Sequence, residues 1–301
     1  MRDAGAIKLE VLSGSKFEKH DHAYELMFID DYPVFVDLRD DFTIDKNLFA
    51  ICDDFLLLKS NFSSELWDMA QRSQYPDGVE YTLDEDELKY RSCIRPFVLG
   101  RTFTNDVQDE FEFAKYIKPV KHKVVSASGV GILSLQSQTR LKVYDLFDKI
   151  LGEKSKLIYF DRDHFAQREY VPNLDYYLKK YVSDCQLNGF DNYVGFLSTG
   201  EYSINFPGIA LSTPFRFVDG VISNRCCIST KIWHDIYASF PCVQLPICGY
   251  LGTGDWVKAE EILRDLDKVD YTGVLQQSKE WYNKYLSASG MWENQFLKYL
   301  D

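Results

Sequence analysis

The stretch Leu211–Lys231, LSTPFRFVDGVISNRCCISTK, holds the residues whose types and spacing come closest to a ligand site. Ser212 or Thr213 is placed to cap a helix, and Pro214 suits its first position, where the missing N–H is not needed. The free amides and positive dipole end of such a helix favour an anion such as a diphosphate. Arg216, in the first turn, can make paired hydrogen bonds to phosphate. Asp219 lies three residues on and shares its face. Its carboxylate either accepts from ribose hydroxyls or pairs with Arg216 on the helix surface.

Three more stretches place polar groups just after apolar runs. Ser126-Ala127-Ser128-Gly129-Val130-Gly131 leads towards a helix that carries Arg140. Gly129 would let a ligand approach the backbone, and Arg140 would neutralise a diphosphate; an ordinary turn is the plainer alternative. Ser229-Thr230-Lys231 ends another run, with Lys231 facing phosphate, a sugar carboxylate or solvent. Ser198-Thr199-Gly200-Glu201 reads as a strand end that presents Glu201 to the same place.

The elements that would carry these residues follow from apolar periodicity and turn signals. In the first part, Ile7–Leu12, Glu25–Ile29, Val34–Leu38 and Phe55–Leu58 read as strands, and Phe62–Gln71 as a helix with Ser63 or Ser64 as its cap. Asp77–Glu87 reads as a solvated acidic loop. Lys118-Pro119 marks a boundary. After it come strands at Val124–Ala127, Leu157–Phe160, Tyr193–Leu197, Ile209–Leu211, Cys226–Ser229 and Cys242–Leu245. Helices are expected at Gln138–Ile150, Leu174–Cys185, Pro214–Ser223, Ile232–Ser239, Trp256–Leu266, Leu275–Leu286 and Met291–Leu300. Strands alternating with helices imply an α/β fold with a mostly parallel sheet, whose ligands sit beyond the carboxyl ends of the strands. The expected division is residues 1–120, residues 121–275, and terminal helices at 276–301. The aromatic positions of those helices, Trp281, Tyr282, Tyr285, Trp292, Phe296 and Tyr299, have packing spacing.

Composition limits the function classes. The 301 residues carry a formal charge of −12, which disfavours general affinity for nucleic acid or an anionic membrane. No run reaches the ~18–20 apolar residues of a membrane span, and Met1–Gly14 lacks the apolar core of a signal peptide. Seven scattered cysteines without a CxxC favour reduced thiols and a cytoplasmic location.

Ser212/Thr213, Arg216, Phe217, Asp219 and the Cys226-Cys227-Ile228 strand resemble the C-terminal donor motif of exostosin-type glycosyltransferases. That motif runs from a serine through an arginine and an aspartate on a helix to a Gly-Cys-Ile-Pro-Val strand. Here Arg225 stands for the glycine and Ser229 for the proline, and the likeness covers about twenty residues. The resemblance implies a GT-B fold, two Rossmann-like domains facing a cleft. It further implies a UDP-sugar donor in the second domain, a glycan acceptor, inversion at the anomeric carbon, no metal and no separate cofactor. The terminal helices would then cross back onto the first domain. Such a reaction needs a base on the acceptor side. Asp40 or Asp41, in Asp37-Leu38-Arg39-Asp40-Asp41 after the strongly apolar Val34–Val36, is that base by position. Asp161-Arg162-Asp163 has the look of a metal-binding DxD but falls in the donor half, where this architecture does not use one. A sugar-nucleotide epimerase and a non-catalytic glycan-binding shell stay open as alternatives.

Overall fold

The computed structural model describes residues 24–38, 54–72, 85–98, 117–129, 134–160, 171–182, 187, 189–208, 213–214, 216–248 and 252–300. The chain divides into two units. Unit 1 is Met1–Gly100 with Trp233–Phe240 and Glu280–Asp301; unit 2 is Arg101–Ile232 with Pro241–Lys279. Both are α/β, the class expected from the alternating pattern.

Unit 1 is built on β1 (Tyr24–Ile29), β2 (Tyr32–Asp37), β3 (Leu56–Lys59) and β4 (Ile94–Pro96), side by side in that order. Asp30 and Asp31 both take positive φ, so a two-residue turn folds β1 antiparallel onto β2. The remaining pairs are parallel. Val34–Val36 and Leu56–Leu58 are uninterrupted apolar runs because both faces of this sheet are covered. One face packs on α1 (Ser64–Gln71) through Phe35, Phe55, Leu57 and Trp67. Ser63 caps α1, its Oγ accepting from the Leu66 N–H at 3.2 Å. The segment expected to be an acidic loop ends instead in α2 (Glu85–Lys89), since acidic side chains suit the first turn of a helix.

The tail covers the other face. Phe296 meets Phe97 edge-on at 5.7 Å and joins Val34, Val36, Leu56 and Leu58. Trp292–Leu297 is a π-helical turn. Within it the fully buried Gln295 accepts from the Val98 N–H at 2.6 Å and donates to the Val98 and Tyr285 carbonyls at 3.2 and 2.6 Å. At the strand tips Asp37 and Lys59, paired in register, form an ion pair of 2.9 Å with both side chains wholly buried.

The segment 233–240 also belongs to unit 1. The Ser64 N–H and Oγ donate to the Asp235 carboxylate at 2.8 and 2.6 Å, which places a negative charge at the start of α1. His234 Nδ1 accepts from the Ile236 and Tyr237 N–H groups at 3.1 and 3.3 Å, so Nε2 carries the proton and donates to the Phe97 carbonyl at 3.0 Å. This side chain competes for the amides a helix would use. Of the helix expected at Ile232–Ser239 only a 3-10 turn, Tyr237–Ser239, forms.

Unit 2 is a five-stranded parallel sheet of β5 (His122–Gly129), β6 (Ser155–Phe160), β7 (Gly200–Asn205), β8 (Cys226–Ser229) and β9 (Val243–Gln244), in the spatial order β6-β5-β7-β8-β9. Its helices are α3 (Ser134–Leu151), α4 (Leu174–Lys180), α5 (Phe190–Leu197), α6 (Arg216–Ile222), α7 (Trp256–Arg264) and the first part of α8 (Tyr271–Tyr285). Val124, Tyr202, Ile204, Cys226 and Ile228 face α3 and α7, whereas Val125, Ala127 and Ile158 face α5. The sheet is thus wound on both sides, and its order reverses between β5 and β7.

One expected strand is a helix. Tyr193–Leu197 lies within α5, and the strand follows at Gly200–Asn205. A short apolar run buried all round reads alike in either conformation. Gly200 sits where a Cβ would lie 2.7 Å from Val125 Cγ2, so its absent side chain lets β7 approach β5. Glu201 consequently lies at the start of β7, not at a strand's carboxyl end, and pairs with Lys123 there.

Burial lowers the His234 pKa from 6.5 to about 4, so the unfolded chain takes up this proton first as pH falls. The resulting stability is present above pH 6.5 and is lost as pH drops towards 4. Urea unfolding at pH 7 and 5.5 should show unit 1 weaker by about 1 kcal/mol at the lower pH. His234→Asn, less stable at both values, should lose that increment.

Candidate functional site

In doubly wound sheets the ligand position lies beyond the carboxyl ends of the strands where the order reverses, here β5 and β7. Gly129 is the last residue of β5 and is buried. Arg140, two turns into α3, donates from Nη1 to the Gly129 carbonyl at 2.9 Å and from Nη2 to the Pro207 carbonyl at 3.2 Å. Gln136, one turn earlier, donates to the Pro207 and Gly208 carbonyls at 3.0 and 2.9 Å. These bonds meet carbonyls that the sheet ladder no longer serves. The guanidinium expected to face a phosphate braces the tips of β5 and β7 in the ligand-free protein.

Tyr144, one turn beyond Arg140, stands beneath this brace. Its hydroxyl lies 3.0 Å from Ser128 Oγ, 2.9 Å from Ser126 Oγ and 3.0 Å from the Ile158 carbonyl. Burial pushes the phenol up to about 12, and the charges of Arg216 and Arg140 oppose that shift. The Tyr193 phenol is likewise pushed up to about 12 by burial; the charge of Arg216 opposes the shift and that of Asp219 adds to it. Two arginines from opposite sides of the switch point thus act on one tyrosine. Neither Tyr144 nor Tyr193 was singled out from the sequence. The signal available was the i, i+4 spacing of Arg140 and Tyr144 on one helix face.

The helix expected from Pro214 starts at Arg216 and has seven residues. Phe217 N–H reaches the Pro214 carbonyl at 3.4 Å, so Pro214 leads in through a turn rather than opening the helix. Thr213 precedes that turn, half-buried, and Ser212 lies outside the described residues. Arg216 is half-buried, whereas Asp219 is only 1 % exposed. The surface pairing considered for these two is therefore not what forms, since Asp219 is inside the unit. Gly220 lets α6 lie close on β7 and β8, since a Cβ there would meet Cys227 Sγ at 2.5 Å and Ser203 Oγ at 3.0 Å.

Lys231 follows β8, half-buried, its N–H bonded to the Ile247 carbonyl at 2.8 Å. Arg225, where the resembled motif has glycine, has a local task. It donates to the carbonyls of Ser198, Asn224 and Lys118 at 2.8, 2.8 and 3.2 Å, tying together the opposite end of the sheet. Asp40, Asp41, Asp161 and Asp163 lie outside the described residues. Among the described residues no group of three His, Cys, Asp or Glu side chains is arranged to hold a metal ion. No helix among them is long and apolar enough to cross a membrane.

No protein-family model matches the chain, and no curated protein matches it. Among solved structures it is similar to the C-terminal domain of a glycosyl transferase group 1 family protein, LpcC, from Francisella tularensis, at 11% identity over 59% of this chain and 92% of that one, with a TM-score of 0.37. It is also similar to WaaG, a glycosyltransferase involved in lipopolysaccharide biosynthesis, at 9% identity over 79% of this chain and 76% of that one, with a TM-score of 0.42. The α/β class rests on the two sheets themselves.

Replacing Arg140 by lysine keeps the charge but removes the fork that spans two carbonyls. Thermal or urea unfolding of Arg140→Lys should show a loss of about 2 kcal/mol, the scale of buried hydrogen bonds to a charged donor.

Proposed function

We propose that the chain is a glycosyltransferase of GT-B architecture that moves a sugar from a UDP-sugar to a glycan hydroxyl with inversion and without a metal. The observation that carries this reading is the switch point of unit 2, where the Arg140 brace joins the tips of β5 and β7 and Arg216 opens the helix between β7 and β8. A doubly wound parallel sheet holds its ligand at that position, and a half-buried arginine there suits a diphosphate. The donor-motif resemblance includes Arg216.

In this reading Arg216 and Lys231 receive the diphosphate charge. Gly129 and Arg140 form the floor, and Thr213 lies beside them, with Ser212 the other hydroxyl the motif offers. Asp219, buried on the helix that Arg216 opens, is the candidate for the ribose hydroxyls once the donor is bound. The acceptor oxygen attacks the anomeric carbon as the bond to the diphosphate oxygen breaks. Its proton passes to Asp40 or Asp41, and UDP departs with the bonding electrons. Fixed positive groups at the leaving diphosphate lower the barrier because its charge is greatest in the transition state.

Isothermal titration with UDP, and incubation with labelled UDP-sugars to follow slow hydrolysis, test the donor class. An epimerase would return the sugar still attached to UDP; a glycan-binding shell would neither bind nor hydrolyse the donor. Arg216→Ala should weaken UDP binding by at least about tenfold with little change in unfolding free energy. Unchanged affinity would remove Arg216 from the site. Asp40→Asn or Asp41→Asn should lower turnover by about a hundredfold or more with donor affinity retained. Full turnover in both would place the base elsewhere.

A further inference from the structure

Side chains alternate across a strand, so β7 and β8 each present one set of residues to α3 and α7 and the other set to the opposite face. The first set is apolar or aromatic: Tyr202, Ile204, Cys226 and Ile228. The second is Ser203 and Asn205 on β7 and Cys227 and Ser229 on β8, all buried. A sheet face closed by a helix is normally filled with aliphatic side chains, because buried polar atoms cost free energy unless they are paired. Here the polar character runs up to the carboxyl ends of the strands, the end at which a doubly wound sheet takes its ligand.

Two residues at those ends stand out. Asn205 is the last residue of β7 and Thr230 follows directly after β8, each 0 % exposed. Asn205 is in register with Ser229, so the two sit at the same level of the sheet. Neither Nδ2 nor Oδ1 of Asn205, nor Oγ1 of Thr230, has a hydrogen-bond partner among the described residues. The polar group beside Asn205 is the thiol of Cys227, and sulfur is a weak partner. Ser229, between them in sequence, is satisfied locally, its Oγ donating to the Thr230 carbonyl at 2.8 Å. Within β7, β8 and the residue that follows β8, the orphan atoms belong to Asn205 and Thr230, at adjacent strand tips.

We infer that Asn205 and Thr230 contact the neutral, hydrogen-bonding part of the donor, its sugar or its nucleoside, and set specificity there. This rests on the donor-site reading above. The amide offers a donor and an acceptor side by side, and the hydroxyl offers both in one atom. None of these atoms carries charge, so they suit hydroxyl pairs or a base edge rather than the diphosphate. Their groups lie unpaired in the free protein and become paired when the ligand arrives, which makes the site costly empty and selective when filled.

The test uses variants of matched shape. Thr230→Val exchanges a hydroxyl for a methyl, and Asn205→Leu exchanges an amide for an isosteric aliphatic group. Each should raise the melting temperature of the free protein while weakening the UDP-sugar by about tenfold, one hydrogen bond's worth. Titrations with UDP and with the UDP-sugar separate the two sources. A loss with both ligands assigns the contact to the nucleoside, and a loss with the UDP-sugar alone assigns it to the sugar. If the wild type binds UDP-sugar and both variants bind it equally well, the inference is overturned. A lower melting temperature in Thr230→Val also overturns it, because the hydroxyl is then paired in the free protein. If the wild type binds neither UDP nor UDP-sugar, the donor reading itself has failed and this inference falls with it.

Discussion

A parallel sheet ends in carbonyls that no neighbouring strand serves, and unit 2 depends on how that constraint is met at its switch point. Arg140 and Gln136, one turn apart on α3, reach three of these carbonyls, at Gly129, Pro207 and Gly208. Their bonds fix the ends of β5 and β7 relative to α3. The tyrosine beneath, Tyr144, joins the same helix to Ser126, Ser128 and the Ile158 carbonyl, and so to β5 and β6. Strand tips held in this way are pre-organised, because their polar groups are already oriented. Arg216 stands half-buried at the start of a short helix.

Unit 1 meets the corresponding constraint by different means. The tips of β2 and β3 carry the buried Asp37–Lys59 ion pair, and the carbonyl of Phe97, just past β4, takes the proton of His234. Val98 is held by Gln295 from the π-helical turn of the tail. An ion pair out of water recovers little net stability against an aliphatic pair of the same volume. Its effect is to make one register of β2 and β3 much better than its neighbours, since a shift by one residue would bury both charges unpaired.

Much of this fold is legible in the residues. Val34–Val36, Leu56–Leu58, Val124–Ala127 and Cys226–Ser229 carry strand signals and form strands. The Ser63 cap and the long helix bearing Arg140 appear where periodicity puts them. The misreadings have physical causes. Tyr193–Leu197 is apolar all round because α5 is enclosed, which erases the period that marks a helix. The 233–240 segment has helical composition, but Asp235 and the His234 ring hold it to unit 1, and local propensity yields to those bonds. For the candidate site the sequence offers residue types and spacing. That Arg140 braces backbone carbonyls and that Asp219 is buried are facts of packing that spacing does not carry. Only the folded backbone says which side of a helix faces which strand tip.

The path of the chain through unit 1 orders its synthesis. The face formed by Val34, Val36, Leu56 and Leu58 is closed by Phe296 and its neighbours, and the Phe97 carbonyl waits for His234. On a ribosome β2 and β3 lack this cover until more than two hundred further residues have emerged, including all five strands of unit 2. Of the two units, the one begun earlier is completed later. A nascent chain paused after β9 exposes an aliphatic sheet face, the kind of surface that chaperones bind and that drives association between incomplete chains.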